Sequence, residues 1–121
     1  IKDELKLLGF GPGSAAGMCI AVLVDKNTAS AAEVIVYVLQ SWGAYVVGEV
    51  TYKKGTTQLL HTLHDNAVLK FTNGRIFFGD GTTIDKRGVI PNYITNDPHT
   101  KWEVARSFLN RCYAKKRSSK K

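Results

Sequence analysis

Long apolar runs are missing from this sequence. No stretch reaches the ~18 residues that a membrane-spanning helix needs. The first ten residues, IKDELKLLGF, lack the layout of a secretory signal. They also begin without Met, so a fragment or a trimmed product is expected. Cysteine is scarce: Cys19 and Cys112 alone are too few for a disulfide scaffold or a cysteine zinc site, and by themselves they say little about redox compartment. There is no internal repeat, and the 121 residues suit one domain or one piece of a larger one. Acidic residues are in deficit, with 10 against 17 lysines and arginines, for a net charge of +7. Five of those charges (Lys115, Lys116, Arg117, Lys120 and Lys121) fall in the last seven residues, leaving +2 on the body. The basic character is thus a solvated tail rather than a surface built for nucleic acid.

What is present is a globular composition, 44% hydrophobic and 22% charged. Residues 9–17, GFGPGSAAG, read as a loop or linker. Their glycines precede a strand instead of following one, which is the wrong order for a phosphate loop. Residues 18–24, MCIAVLV, are apolar on both faces and predict a buried strand. A polar turn over 25–28 leads to a helix over 30–41, apolar almost all round and so expected to be buried. Trp42-Gly43 ends it, and residues 44–48 predict a second short buried strand. Strand, helix, strand in that order indicates an α/β layer with a parallel pair.

After the polar loop 49–55 the text turns to β. Strands are predicted over 58–63, 67–72 and 75–78, with turns at Asp65-Asn66 and Asn73-Gly74. Gly79-Asp80-Gly81 predicts a further turn, and residues 88–95 an extended segment kept near an edge by Pro91. From Thr100, apolar residues at 102, 105, 108/109 and 112 repeat at helical spacing, with Thr100-x-x-Glu103 as a capping box.

The chemistry gathers at Thr28-Ala29-Ser30-Ala31-Ala32-Glu33. Here a serine lies at the mouth of a buried helix, where free N–H groups and partial positive charge favour an anion. The Ala31 N–H is placed to stabilise an oxyanion, and the small neighbours allow close approach of a substrate backbone. The same letters, Ser30 with Glu33, also spell an ordinary capping box. A nucleophilic serine needs a base. His61 and His64 are candidates, but their spacing puts them on opposite sides of a strand, so at most one can face a site. Lysine is the other option. Its ordinary pKa of ~10.4 must be lowered by burial to about 7–8 before it can take a proton. Lys53 and Lys54 follow the second strand, and in a parallel strand–helix–strand unit that loop shares a sheet edge with the Ser30 turn.

From Ala21 to about Thr95 the sequence resembles the catalytic core of the carboxyl-terminal processing peptidases, or tail-specific proteases. The resemblance rests on VLVDKNTASAAEVIVYVLQSWGAYVVGEVTYKKGTTQ and, further on, GDGTTIDKRGVIPNYIT. It implies a spiral β-β-α core of the ClpP/crotonase kind. It implies a serine endopeptidase cutting polypeptides near their C-termini, with no cofactor and no metal. In this family pattern Ser30 is the nucleophile, Lys54 the base, Gln58 the residue that orients the lysine, and the Ala31 N–H one oxyanion donor. Tyr52 and Lys53 stand where the family carries Phe-Gly, and Asn92 where it carries aspartate. The family's N-P-G-G loop, its PDZ domain and its export signal have no counterpart in these residues. A catalytically incomplete fragment or a binding module is therefore the alternative. The sequence itself does not settle a compartment, and the resemblance implies an extracytoplasmic or membrane-associated parent protein. The expected division is a linker or remnant over 1–17, the peptidase core over 18–113 and the basic tail over 114–121.

Overall fold

The structure, a computed structural model, describes residue 13 and residues 15–120. Most of the linker expected over 1–17 thus lies outside the described residues. Seven elements follow in order: β1 (Ala21–Val24), α1 (Ala31–Ser41), β2 (Tyr45–Gly48), β3 (Thr56–Thr62), β4 (Val68–Arg75), β5 (Tyr93–Ile94) and α2 (Pro98–Ser118). β1 and β2 pair in parallel from Ala21↔Tyr45 to Val24↔Gly48, and β5 adds in parallel to the far edge of β2. The sequence reading of an α/β layer with a parallel pair therefore holds. β3 and β4 form a separate antiparallel hairpin.

The core lies between α1 and one face of the parallel sheet. Val24, Val36, Val46, Ile84 and Val89 fill it, with Val22, Val34, Tyr37 and Phe78 packed at its margin. Tyr37 and Phe78 stack with centroids 3.7 Å apart. The opposite face takes α2, through stacking of Tyr45 on Phe108 and an ion pair from Lys101 to Glu49 at 3.7 Å. Burial is less complete than the apolar text suggests. Ile35 on α1 and Leu23 on β1 are exposed.

The structure departs from several local expectations. Asn73-Gly74 makes no turn; it lies inside β4, opposite a register shift between Thr57 and Gln58. A side chain at Gly74 would sit 2.6 Å from Thr57 Oγ1, so this glycine admits a neighbour rather than turning the chain. Of the strand expected over 75–78 only Arg75 belongs to β4, and residues 76–78 form no strand. Asp65-Asn66 does turn, with Asp65 accepting from the Ala67 N–H at 3.1 Å. The second helix starts two residues before Thr100, because Asp97 is the cap. Its carboxylate accepts the Thr100 N–H at 2.7 Å, and Pro98 supplies the first helical residue. The basic run over 115–117 continues α2. Finally, the two cysteines are a pair: a Cys19–Cys112 disulfide ties the approach to β1 to the last turns of α2.

Candidate active site

Ser30 is held by the turn that ends β1. Asp25 Oδ1 accepts the N–H groups of Asn27 and Thr28, and the Asp25 N–H returns a bond to Thr28 Oγ1. Ser30 itself adopts φ +58 and ψ −122, a left-handed conformation that costs a non-glycine residue of order 1–3 kcal/mol. Sharp, strained strand-to-helix turns of this kind expose a serine hydroxyl at the top of a sheet. α1 begins at the next residue, Ala31. Backbone N–H groups at that position have no intrahelical acceptor.

The cap is built around Glu33. Its carboxylate accepts the Ser30 N–H at 2.9 Å, while the Ser30 hydroxyl faces the Glu33 N–H without a well-formed cap hydrogen bond. Glu33 is fully buried. Its Oε1 also accepts the Thr51 hydroxyl and the Lys53 N–H, and its Oε2 the Lys54 N–H at 2.9 Å. Burial pushes the Glu33 carboxyl up, but four donors together hold it below its ordinary range. It is therefore a buried carboxylate whose charge is spent on hydrogen bonds. Thr51, itself buried, accepts the Val89 N–H at 2.7 Å and carries the network into the core. The turn and the lysine loop meet again where the Tyr52 N–H donates to Thr28 O at 2.9 Å.

This network fixes Lys53 and Lys54. Lys53 takes φ +75, so it occupies a glycine-favouring conformation at the position where the family pattern has glycine. Gly55 follows, and a Cβ there would lie 2.4 Å from the Asp85 backbone N. The lysine loop is thereby pressed against residue 85. Lys54 Nζ donates to Gln58 Oε1 at 3.3 Å.

Ser30, Ala31, Lys54 and Gln58 all line one open groove of about 540 Å³, with Val34 and Ile35 of α1 on one wall and Thr56, Thr57 and Ile76 on the other. All four residues singled out from the sequence are brought together. The histidines are not. His61 lies in β3 and His64 in the turn after it, both exposed and neither on the groove. Lys53 is not among the groove residues either. Sequence reasoning treated Glu33 as a helix cap and missed Thr51 altogether. The signal for the wider role was the pair of polar residues Glu49 and Thr51 directly after three buried strand residues.

A serine in a strained turn at a helix mouth and a lysine from the loop after β2 thus line one groove beside an α/β sheet. Residues 9–95 match Peptidase family S41, and the chain belongs to that family. It is 30% identical over 98 residues to a probable CtpA-like serine protease of Staphylococcus epidermidis, covering 80% of this chain and 20% of that protein. It is 43% identical over 75 residues to carboxyl-terminal-processing peptidase 2, chloroplastic, of Arabidopsis thaliana, covering 61% of this chain and 15% of the relative. Among solved structures, the photosystem II D1 C-terminal processing protease superposes with a TM-score of 0.60 at 33% identity, over 67% of this chain and 21% of that one. A lipoprotein from Streptococcus agalactiae shares the fold, with a TM-score of 0.67 at 21% identity, over 81% of this chain and 33% of that one. The chain thus spans about a fifth of the length of the curated relatives it matches. Among the described residues no helix is long and apolar enough to cross a membrane.

Proposed function

We propose that this chain carries the nucleophile and the general base of a serine endopeptidase that cleaves polypeptides near their C-termini. The observation that carries the reading is the single groove lined by Ser30, Ala31, Lys54 and Gln58. Ser30 Oγ attacks the scissile carbonyl carbon, and its proton passes to the Lys54 amine. The carbonyl oxygen becomes an oxyanion and takes the Ala31 N–H. Collapse breaks the C–N bond as Lys54 returns the proton to the leaving amine. Lys54 then takes a proton from a water whose oxygen attacks the Ser30 ester carbon, and returns it to Ser30 Oγ as the ester C–O bond breaks and the acid product leaves. Gln58 positions Lys54, and Glu33 positions Ser30 and Lys54 by accepting their backbone N–H groups.

We read residues 18–113 as the C-terminal part of a ClpP/crotonase-like spiral core and residues 114–118 as the basic end of α2 that extends beyond it. The Cys19–Cys112 disulfide supports an oxidising, extracytoplasmic compartment. The names of two similar proteins, one chloroplastic and one a lipoprotein, agree with that.

A second reading, an incomplete fragment that binds without cutting, is favoured by one fact: among the described residues, Ala31 is the one oxyanion donor identified at this site. A missing donor costs about 10²–10³ in rate. The two readings separate in a cleavage assay on C-terminally labelled peptides. The expected result is turnover by the unaltered chain, loss on Ser30→Ala or Lys54→Ala, and an unchanged circular dichroism spectrum. Turnover that survives Ser30→Ala removes the serine mechanism.

A further inference from the structure

The groove does not end at the catalytic residues. Its second wall is the beginning of β3, and β3 continues beyond it to Thr62. Among the described residues no other strand pairs with the outer edge of β3. The Leu63 N–H donates to Ala67 O inside the hairpin. By the alternation of antiparallel ladders, the N–H and C=O groups of Leu60 and Thr62 therefore point away from β4.

Free edges are normally blunted by lysine, proline or a bulge. β4 carries Lys70 and Arg75, whereas β3 holds neither a charged lysine or arginine nor a proline along its length. The irregularity between Thr57 and Gln58 lies at the groove end, where it leaves the rest of the edge straight. The hairpin is also short of partners. Leu59, Leu63, Leu69 and Phe71 share one face and remain between 41% and 50% exposed. A two-stranded hairpin is marginal in water without a third element.

We infer that a polypeptide substrate docks as a third strand on the outer edge of β3, so that its main chain is read by the edge and its scissile bond is delivered to Ser30. This rests on the endopeptidase reading above and specifies how that site selects its substrate. The occupant is an extended, locally unfolded segment, because only an extended backbone satisfies a strand edge. From Gln58 to Thr62 the edge spans roughly 13 Å, enough for about five substrate residues beside the scissile bond. Alternate substrate side chains fall beside Leu59 and Leu63, which favours apolar residues at every second position. Continuity with the groove makes substrate the occupant of this edge rather than a second copy.

The test uses the whole chain and a labelled ten-residue peptide with alternating apolar residues, together with two derivatives N-methylated at one or the other set of alternate amides outside the scissile bond. Binding is measured by fluorescence anisotropy on Ser30→Ala, and cleavage on the unaltered chain. Methylation of the edge-facing set should weaken binding about tenfold, with the other set near the parent value. Leu60→Pro, which deletes one edge N–H, should raise KM about tenfold with kcat unchanged. Cleavage that is indifferent to both methylation sets and to Leu60→Pro overturns the docking mode and leaves the endopeptidase reading intact. Set-specific binding without any cleavage overturns the endopeptidase reading and leaves the docking mode intact. Absence of binding at millimolar peptide overturns the inference. A concentration-dependent dimer dispersed by Leu60→Pro, with KM unmoved, overturns it in favour of a second copy.

Discussion

Reducing the Cys19–Cys112 bond should unfold much of this chain's margin of stability. The two cysteines are 93 residues apart. Closing a loop of that size removes chain entropy from the unfolded state, for a stabilisation of about 4.7 kcal/mol at 25 °C in the loop-closure treatment. Domains of this size have a total of roughly 5–15 kcal/mol. With a urea slope near ~2 kcal/mol/M, the denaturation midpoint should fall by about 2 M on reduction. Cys19→Ala with Cys112→Ala should show the same fall without reductant. The disulfide sits before the start of β1 and Ser30 after its end, so the groove residues are not its neighbours. Peptide cleavage measured well below the unfolding midpoint should therefore persist. Oxidised and reduced protein with coincident urea curves would refute the reasoning, since α2 would then be held by packing alone.

Glu33→Ala leaves several donors facing a buried void, two of them the backbone amides of Lys53 and Lys54. At about 1–3 kcal/mol for each unsatisfied group, the loss should reach roughly 3–5 kcal/mol by thermal or urea unfolding. Because the folded Glu33 carboxyl lies below its ordinary value of 4.5, its contribution is full above that pH. It fades as pH falls through the folded value. Denaturation midpoints should drop on acidification below about 4.5, and Glu33→Gln, measured over the same range, should flatten that part of the drop. Lys53→Gly should relieve ~1 kcal/mol of left-handed strain, offset in part by glycine's chain entropy, for a net gain of about 0.5 kcal/mol in stability. A lower melting temperature for that variant would mean that the Lys53 stem earns its place by packing.

The strand–helix–strand unit was legible because its signals are local. Apolar runs of strand length flank a helical run, and polar turns separate them. The serine, lysine and glutamine were legible through motif spacing, and the topology then carried them to one edge. Elsewhere local signals lost to tertiary ones. Asn73-Gly74 has turn letters, yet the gap beside Thr57 is what a glycine there serves. Thr100-x-x-Glu103 fits a cap, but the carboxylate of Asp97 followed by Pro98 is the stronger start. No local rule pairs Cys19 with Cys112, since their meeting depends on α2 lying across the sheet. Likewise nothing near Glu33 in sequence announces Lys53 and Lys54 as its partners, twenty residues on.

That shared carboxylate also sets how the site comes apart. Each of its oxygens takes a donor from the lysine loop, and Oε2 takes one from the serine turn as well. Neither segment can swing out without stripping bonds from a buried charge, so the two are latched by one anion. Local opening should be all-or-none. In hydrogen exchange the amides of Ser30, Lys53 and Lys54 should share one opening rate, and the serine turn and the lysine loop should be lost or regained in a single event.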